Sequence, residues 1–248
     1  MIEIENLWKR LGDVDVFKGV SLKVKKGEFL ALIGMSGTGK SVLLKHIAGL
    51  MKPDRGRILI DGVDVTKAQR SELEKVRSRF GFVFQNGALF DSMTVFDNVA
   101  FPLREKTRLG ERAIQEKVLR ELEQVGLAGV EKKFSSQLSG GMIKRTALAR
   151  ALVRKPEIVF FDEPTTGLDP IIAKSILQLF DSSHRRMNLT GILVSHDIPD
   201  IFTIVEKVAM LHEGQLAALE DSSSILSCTH PVVQQFVRGQ IDGPIRCR

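Results

Sequence analysis

The chain has 248 residues, enough for one large α/β domain, or a core with a small inserted subdomain, without disulfide or metal scaffolding. Its formal charge of +6 and pI near 9.4 admit nucleic acid, an anionic membrane surface or a phosphate ligand, although a solvated mixed-charge surface satisfies the same balance. No apolar run reaches about 18 residues, and the start, Met1-Ile2-Glu3-Ile4-Glu5, carries no basic or apolar leader, which predicts a soluble chain that is not exported.

In chain order, the first 66 residues read as short strands with turns. Asp61-Gly62 between Ile58-Leu59-Ile60 and Val63-Asp64-Val65 is a two-residue hairpin signal, so an antiparallel β element is expected there. From Phe29 onward, apolar runs (Phe29 to Ile33, Phe80 to Phe84, Ile158 to Phe161, Ile192 to Val194) alternate with helical patterns such as Lys40 to Leu50, which predicts a buried, mainly parallel sheet. Between Gln85 and Gln137 the strand rhythm stops. Arg112 to Val125 places Ile114, Val118, Leu119, Leu122 and Val125 at helical spacing, and the stretch from about 88 to 155 reads as an inserted helical subdomain. Glu213-Gly214 marks a late turn, and residues 239–248 form a short extension beyond a single domain spanning 1–238. Cys228 and Cys247, without a C-x-x-C pattern, read as reduced, incidental thiols.

The segment Gly34-Met35-Ser36-Gly37-Thr38-Gly39-Lys40-Ser41 is a G-x-x-x-x-G-K-[ST] loop between a strand-like and a helix-like run. Its glycines let backbone N–H groups converge on phosphate oxygens, and the positive end of the following helix adds to them. Lys40 is expected to bridge terminal phosphates, with Ser41 as a hydroxyl ligand for Mg²⁺. Ile158 to Phe161 delivers two carboxylates at a strand end: Asp162 for the Mg²⁺ shell and Glu163 to polarise an attacking water. Gln85 follows another strand, where its amide can reach Mg²⁺ or that water, and His196 follows a third, within reach of a terminal phosphate. Leu138-Ser139-Gly140-Gly141-Met142 opens a helix and offers a second anion site in the same chain; the plainer reading is an N-capped helix.

With Asp162-Glu163-Pro164-Thr165-Thr166-Gly167-Leu168-Asp169, these residues resemble the ATP-binding cassette (ABC) family over roughly residues 2 to 220. The resemblance implies a P-loop NTPase fold with a mainly parallel core sheet, an antiparallel β subdomain and an inserted helical subdomain. It also implies Mg²⁺-dependent ATP hydrolysis coupled to translocation. Two cassettes would pair head to tail, with Gly34, Ser36, Gly37, Thr38, Gly39, Lys40, Ser41, Val42, Gln85, Asp162, Glu163 and His196 acting in cis. Ser139, Gly140 and Gly141 would act in trans, and Asp169 would communicate across the interface. One copy of each motif per chain makes a homodimer the simplest complete machine. Two positions depart from the family pattern: Leu11 stands where an aromatic ring commonly stacks on adenine, leaving Trp8 or Phe17 as substitutes, and Met142 replaces the usual Gln of the signature.

The stretch Phe84 to Glu105, with Gly87-Ala88-Leu89-Phe90-Asp91 after Gln85, and the tail Gln235 to Ile245 resemble the phospholipid-transport branch, specifically the ATPases of the bacterial Mla (maintenance of lipid asymmetry) system. That resemblance implies an integral membrane permease docking near Phe90, Met93, Val95 and Phe96, an MCE-type lipid-binding protein beyond it, and a peripheral position on the cytoplasmic face of the inner membrane. It also implies a C-terminal segment reaching the partner cassette. The apolar residues of the docking stretch fit subdomain packing equally well. Another transported cargo, such as amino acids or lipoproteins, is the nearest alternative. A permease-free cassette on nucleic acid is less favoured, since neither tandem cassettes nor long coiled coils are present, and nucleic acid is not an expected partner.

Overall fold

The computed structural model describes residues 1–196 and 198–246, so Cys247 lies outside the described residues, while Cys228 is a half-buried free thiol. The chain divides into two compact units, one formed by Met1–Ser78 with Leu189–Arg248 and the other by Arg79–Asn188.

The first unit begins with β1 (Ile2–Leu11) and β2 (Val14–Val24), an antiparallel pair in which Ile2 faces Val24. After β3 (Phe29–Ile33) and α1 (Lys40–Ile47), the chain adds β4 (Arg55–Ile60) and β5 (Val63–Asp64), giving an antiparallel sheet in the order β2-β1-β4-β5. The predicted hairpin is the β4–β5 connection. Asp61 and Gly62 both adopt positive φ, 48° and 82°, the twist a two-residue turn needs to match its strands. Helix α1 stops three residues short of the expected Leu50. Gly49 takes φ 65° there, and a Cβ on it would lie 2.6 Å from the side chain of Leu73 in α2 (Arg70–Arg77), so the left-handed stop is where the next segment packs.

The second unit opens with β6 (Phe80–Val83) and continues through α3 (Val95–Lys106), α4 (Glu111–Gln124), α5 (Gly140–Leu152), β7 (Ile158–Asp162) and α6 (Pro170–Met187). Strands β6 and β7 pair in parallel. Helix α3 starts at Thr94, whose hydroxyl accepts from the Asp97 N–H at 3.1 Å. Helix α4 buries Ile114, Val118 and Leu122, as its periodicity requires, but Leu119 is exposed: it sits one residue from Val118 and therefore about 100° around the helix from the buried stripe.

The chain then returns to the first unit with β8 (Thr190–Val194), β9 (Lys207–His212), β10 (Gln215–Asp221) and α7 (Pro231–Arg238). Strand β3 lies between β8 and β9, parallel to both, and β10 pairs antiparallel with β9. All five residues of β3 are buried, which is why its sequence reads as an unbroken apolar run rather than an alternation. The C-terminal segment folds back on α7. The Gln235 amide accepts from the Ile245 N–H at 2.6 Å and donates to the carbonyls of Ile245 and Ile241, so the segment up to Ile245 is fastened to its own helix. Among the described residues no helix is long and apolar enough to cross a membrane.

His46 supplies a pH-dependent element of this core. Its ring lies edge-on to Phe17, Nδ1 is 2.8 Å from the Val42 carbonyl, and Nε2 is buried without a hydrogen-bond partner among the described residues. Burial holds its pKa below 6.5; Lys9 reinforces this and Asp54 opposes it. As pH falls, the unfolded chain therefore takes up this proton before the folded one does, and stability should decline as pH drops from neutral through about 6.5 and below. Thermal melts across that range should give a flatter profile for His46→Leu than for the parent; parallel slopes would refute the assignment.

Candidate nucleotide site

In the first unit, β3 runs directly into the glycine-rich loop and the loop into α1. Gly34 (φ 145°), Gly37 (φ 80°) and Gly39 (φ 97°) all lie in conformations that L side chains rarely adopt, and a Cβ on Gly34 would stand 2.3 Å from the Leu211 carbonyl oxygen. Gly39 is the N-cap residue of α1, with no side-chain cap and no acidic residue in the first turn, so the helix N-terminus offers its N–H groups to an external anion. Lys40 is only 5% exposed, and its ammonium donates to the Gly34 and Met35 carbonyls at 2.8 Å each, spanning the loop. Thr38 Oγ1 donates to Met35 O at 2.9 Å, whereas Ser36 points to solvent and Ser41 and Val42 are half-buried in the first helical turn.

A cavity of about 730 Å³ flanks this loop, bounded by Met35–Thr38, Val14–Val16, Lys18, His212–Gly214 and Pro244–Arg246. Its walls are aliphatic and polar. Neither proposed aromatic substitute lines it: Phe17 is 1% exposed, with His46 edge-on to it, and the Trp8 indole donates to Asn6 Oδ1 at 2.9 Å on β1. Phe17 as an adenine platform is thereby overturned by its burial.

Strand register decides which predicted residues meet. Leu32 of β3 is matched with Val194 of β8, so Gly34 and His196 each follow their matched residue by two positions, at the carboxyl ends of neighbouring parallel strands. His196 is exposed there. In the second unit Val83 is matched with Phe161, and two positions further on stand Gln85 and Glu163. These two are in contact: Gln85 Nε2 donates to Glu163 Oε2 at 3.4 Å, and Thr166 Oγ1 donates to the same oxygen at 3.3 Å. Glu163 has φ 47°, a left-handed conformation unusual for a residue with a Cβ and of the kind that collects at functional sites. Asp162 ends β7, half-buried.

The predicted second anion site is a capped helix start. Ser139 Oγ accepts from the Met142 N–H at 3.3 Å, and Asp169 caps α6 by accepting from Ile171 and Ile172 at 3.1 Å each. Gly140 and Gly141 have a packing reason beyond N–H exposure: a Cβ would lie 3.1 Å from Leu168 and 2.8 Å from Ile172, respectively. Of the four docking candidates, Val95 is 1% exposed and belongs to the core, Met93 and Phe96 are half-buried, and Phe90 is exposed. Phe90 lines a groove of about 330 Å³ with Phe82, Phe84 and Phe101, and with Arg150 and Arg154.

Sequence reasoning missed Asn98, Lys144 and Arg150. Asn98 is buried and organises the loop before α3, accepting from the Phe90 N–H at 2.8 Å and donating to the carbonyls of Phe90 and Thr94. The available signal was a polar residue on the apolar face of a helical run.

The model of the ABC transporter family matches residues 17–166, a span that contains the loop, Gln85, the signature and both carboxylates. The chain belongs to the ABC transporter family. The cassette is 44% identical over 246 residues to the intermembrane phospholipid transport system ATP-binding protein MlaF of Haemophilus influenzae, covering 99% of this chain and 93% of that one. It is 43% identical over 244 residues to the probable ribonucleotide transport ATP-binding protein mkl of Mycobacterium leprae, covering 98% of this chain but 70% of the relative. Among solved structures, the ATP-binding cassette MJ0796, a dimer in a post-hydrolysis state bound to ADP and Pi, superposes with a TM-score of 0.81 at 33% identity, over 90% of this chain and 99% of that one. The cassette is thus an ABC ATPase, of a family that binds ATP.

Proposed function

We propose that this cassette is the ATP-hydrolysing subunit of an ABC transporter that drives phospholipid transport between bacterial envelope membranes. In this reading it works as a head-to-tail homodimer on the cytoplasmic face of the inner membrane, with an integral permease seated against the groove at Phe90 and an MCE-type lipid-binding protein beyond the membrane. The observation that carries the hydrolytic reading is the Gln85–Glu163 contact at two adjacent strand ends, with Glu163 held at φ 47°. The phospholipid cargo rests on the relative named for it, which this chain matches along nearly the full length of both proteins.

The residues present fit Mg²⁺. Ser41 hydroxyl, Gln85 amide oxygen and Asp162 carboxylate are all hard oxygen donors, and among the described residues no cluster of His, Cys, Asp and Glu offers an all-protein cage, as expected of an ion that shares its shell with phosphate oxygens and waters. Bound with ATP, it would neutralise charge on the phosphates. The residues of the chain supply the rest. Lys40 exchanges its carbonyl partners for the terminal phosphates. Glu163 accepts the proton of the attacking water, Gln85 orients that water, and His196 donates to the terminal phosphate. Ser139, Gly140 and Gly141 of a second copy close the site in trans, and Asp169 links the two halves. Positioning and charge stabilisation suffice for this transfer, and no covalent intermediate is required.

The similarity to a relative named for ribonucleotide transport supports a second reading in which another cargo is moved by the same motor. Turnover of Mg²⁺-ATP by the cassette with its own membrane partners in phospholipid nanodiscs separates the two. Stimulation on changing the phospholipid, with indifference to added ribonucleotide, is expected; the reverse pattern would replace the phospholipid reading.

A further inference from the structure

Three residues of the loop after β6 are held by one helix. Gln85 has its backbone carbonyl bonded to the ammonium of Lys144. Gly87 and Ala88 have theirs bonded to the guanidinium of Arg150, Nη2 to Gly87 O and Nη1 to Ala88 O, each at 2.6 Å. Both cations belong to α5, the helix that begins at the signature residues. Between them Ile143 of the same helix closes on the loop: Gly87 adopts φ 72°, and a Cβ there would lie 2.7 Å from Ile143 Cγ2. A larger residue at position 87 would both strain the backbone and push the loop off α5.

Lys144 is only 5% exposed, and burial pushes its pKa down with no carboxylate to oppose the shift. Burying an ammonium against a neutral carbonyl costs more than burying a methionine of similar length would, so stability alone gives little reason for a cation here. A donor at that point does, however, fix the peptide group of the loop residue whose side chain reaches Glu163. With the backbone in this orientation the Gln85 amide meets Glu163 Oε2 at 3.4 Å.

We propose that Lys144 and Arg150 are positioning residues that fasten the backbone of residues 85–88 to α5, so that the Gln85 amide is held at Glu163 and moves with the signature helix as one piece. The proposal rests on the reading of Gln85 and Glu163 as hydrolytic residues. Its mechanical consequence is that any rotation of α5 on engaging a phosphate is transmitted to Gln85 without an intervening hinge. The fork of Arg150 adds what a lysine at that place lacks, simultaneous hold on two successive carbonyls.

The test is a double-mutant cycle on the full chain, measuring kcat and KM for ATP together with thermal midpoint. Lys144→Met, which keeps the volume of the stem, should lower kcat about tenfold with KM and midpoint little changed, and should cause no further loss in a Gln85→Ala background. Arg150→Lys, which retains the charge but not the fork, is the second variant and should show the same kcat-only loss. Multiplicative losses in the Lys144→Met, Gln85→Ala pair, or effects confined to KM or thermal midpoint, would overturn the positioning role while leaving Gln85 in the mechanism. If Gln85→Ala alone left kcat unchanged, the hydrolytic reading of Gln85 would fall, and the positioning role with it.

Discussion

Glu163→Gln is expected to bind ATP with near-parental affinity while its turnover falls by about 10² to 10⁴, the range a positioned general base contributes. The substitution is close to isosteric, so the left-handed backbone at φ 47° and the contact with Gln85 have no steric reason to change. What is lost is the ability to take a proton from water. A cassette that engages ATP and cannot discharge it should accumulate as closed dimers, visible as an ATP-dependent rise in sedimentation coefficient that the parent shows only transiently. Single-turnover hydrolysis and analytical ultracentrifugation together check both halves. Undiminished turnover would transfer the base to another residue and remove the main support for the proposed mechanism.

Lys40→Ala should act one step earlier, on binding. The ammonium donates to two loop carbonyls at 2.8 Å, which phosphate oxygens would replace. Hydrogen bonds to charged groups are worth about 1.5 to 3 kcal/mol each, so losing two on the terminal phosphates should weaken ATP by roughly 10² to 10³ or more, with a smaller effect on AMP, which lacks the phosphates concerned. Calorimetric titration with both nucleotides reads the contrast. Equal weakening of the two would mean that removing the side chain collapsed the loop, and native ATP affinity would remove Lys40 from the site.

The two substitutions therefore separate binding from chemistry, and they fall in different compact units of the chain. Lys40 works from a loop whose shape is set by glycines at positive φ, Glu163 from a strand end whose shape is set by register. The inference concerning Lys144 and Arg150 adds a third kind of residue, one that touches no nucleotide in the proposed mechanism and acts through the backbone of the loop carrying Gln85.

Much of the site was legible because its signals are local. A buried parallel strand is apolar throughout, a phosphate loop needs glycine where a Cβ would strike a carbonyl, and a helix start favours a short oxygen-bearing side chain. Phe29–Ile33, Gly34–Gly39 and Ser139 each declare themselves within a few residues, whereas the capping role of Asp169 emerged only with the structure. The hairpin at Asp61-Gly62 is local in the same way. Misreadings arose where the deciding neighbour is distant in sequence. Val95 and Phe90 look alike as apolar residues of one stretch, but one is core and the other lines a groove with Phe84 and Phe101. Phe17 looks available as a ring until His46 is found against it.

The sequence by itself carried the resemblance to the family through its motifs, and it marked the phosphate loop, the pair of carboxylates and the buried apolar strands, because these last are set by short-range sterics and periodicity. Only the tertiary structure decided that Gln85 meets Glu163, that His196 stands beside the strand feeding the loop, and that Lys144 and Arg150 grip the backbone of residues 85–88. Those relations depend on the register of paired strands and on which face of α5 is turned toward the loop. Neither is encoded in any single segment; both arise when segments far apart in the chain bury their apolar faces against one another.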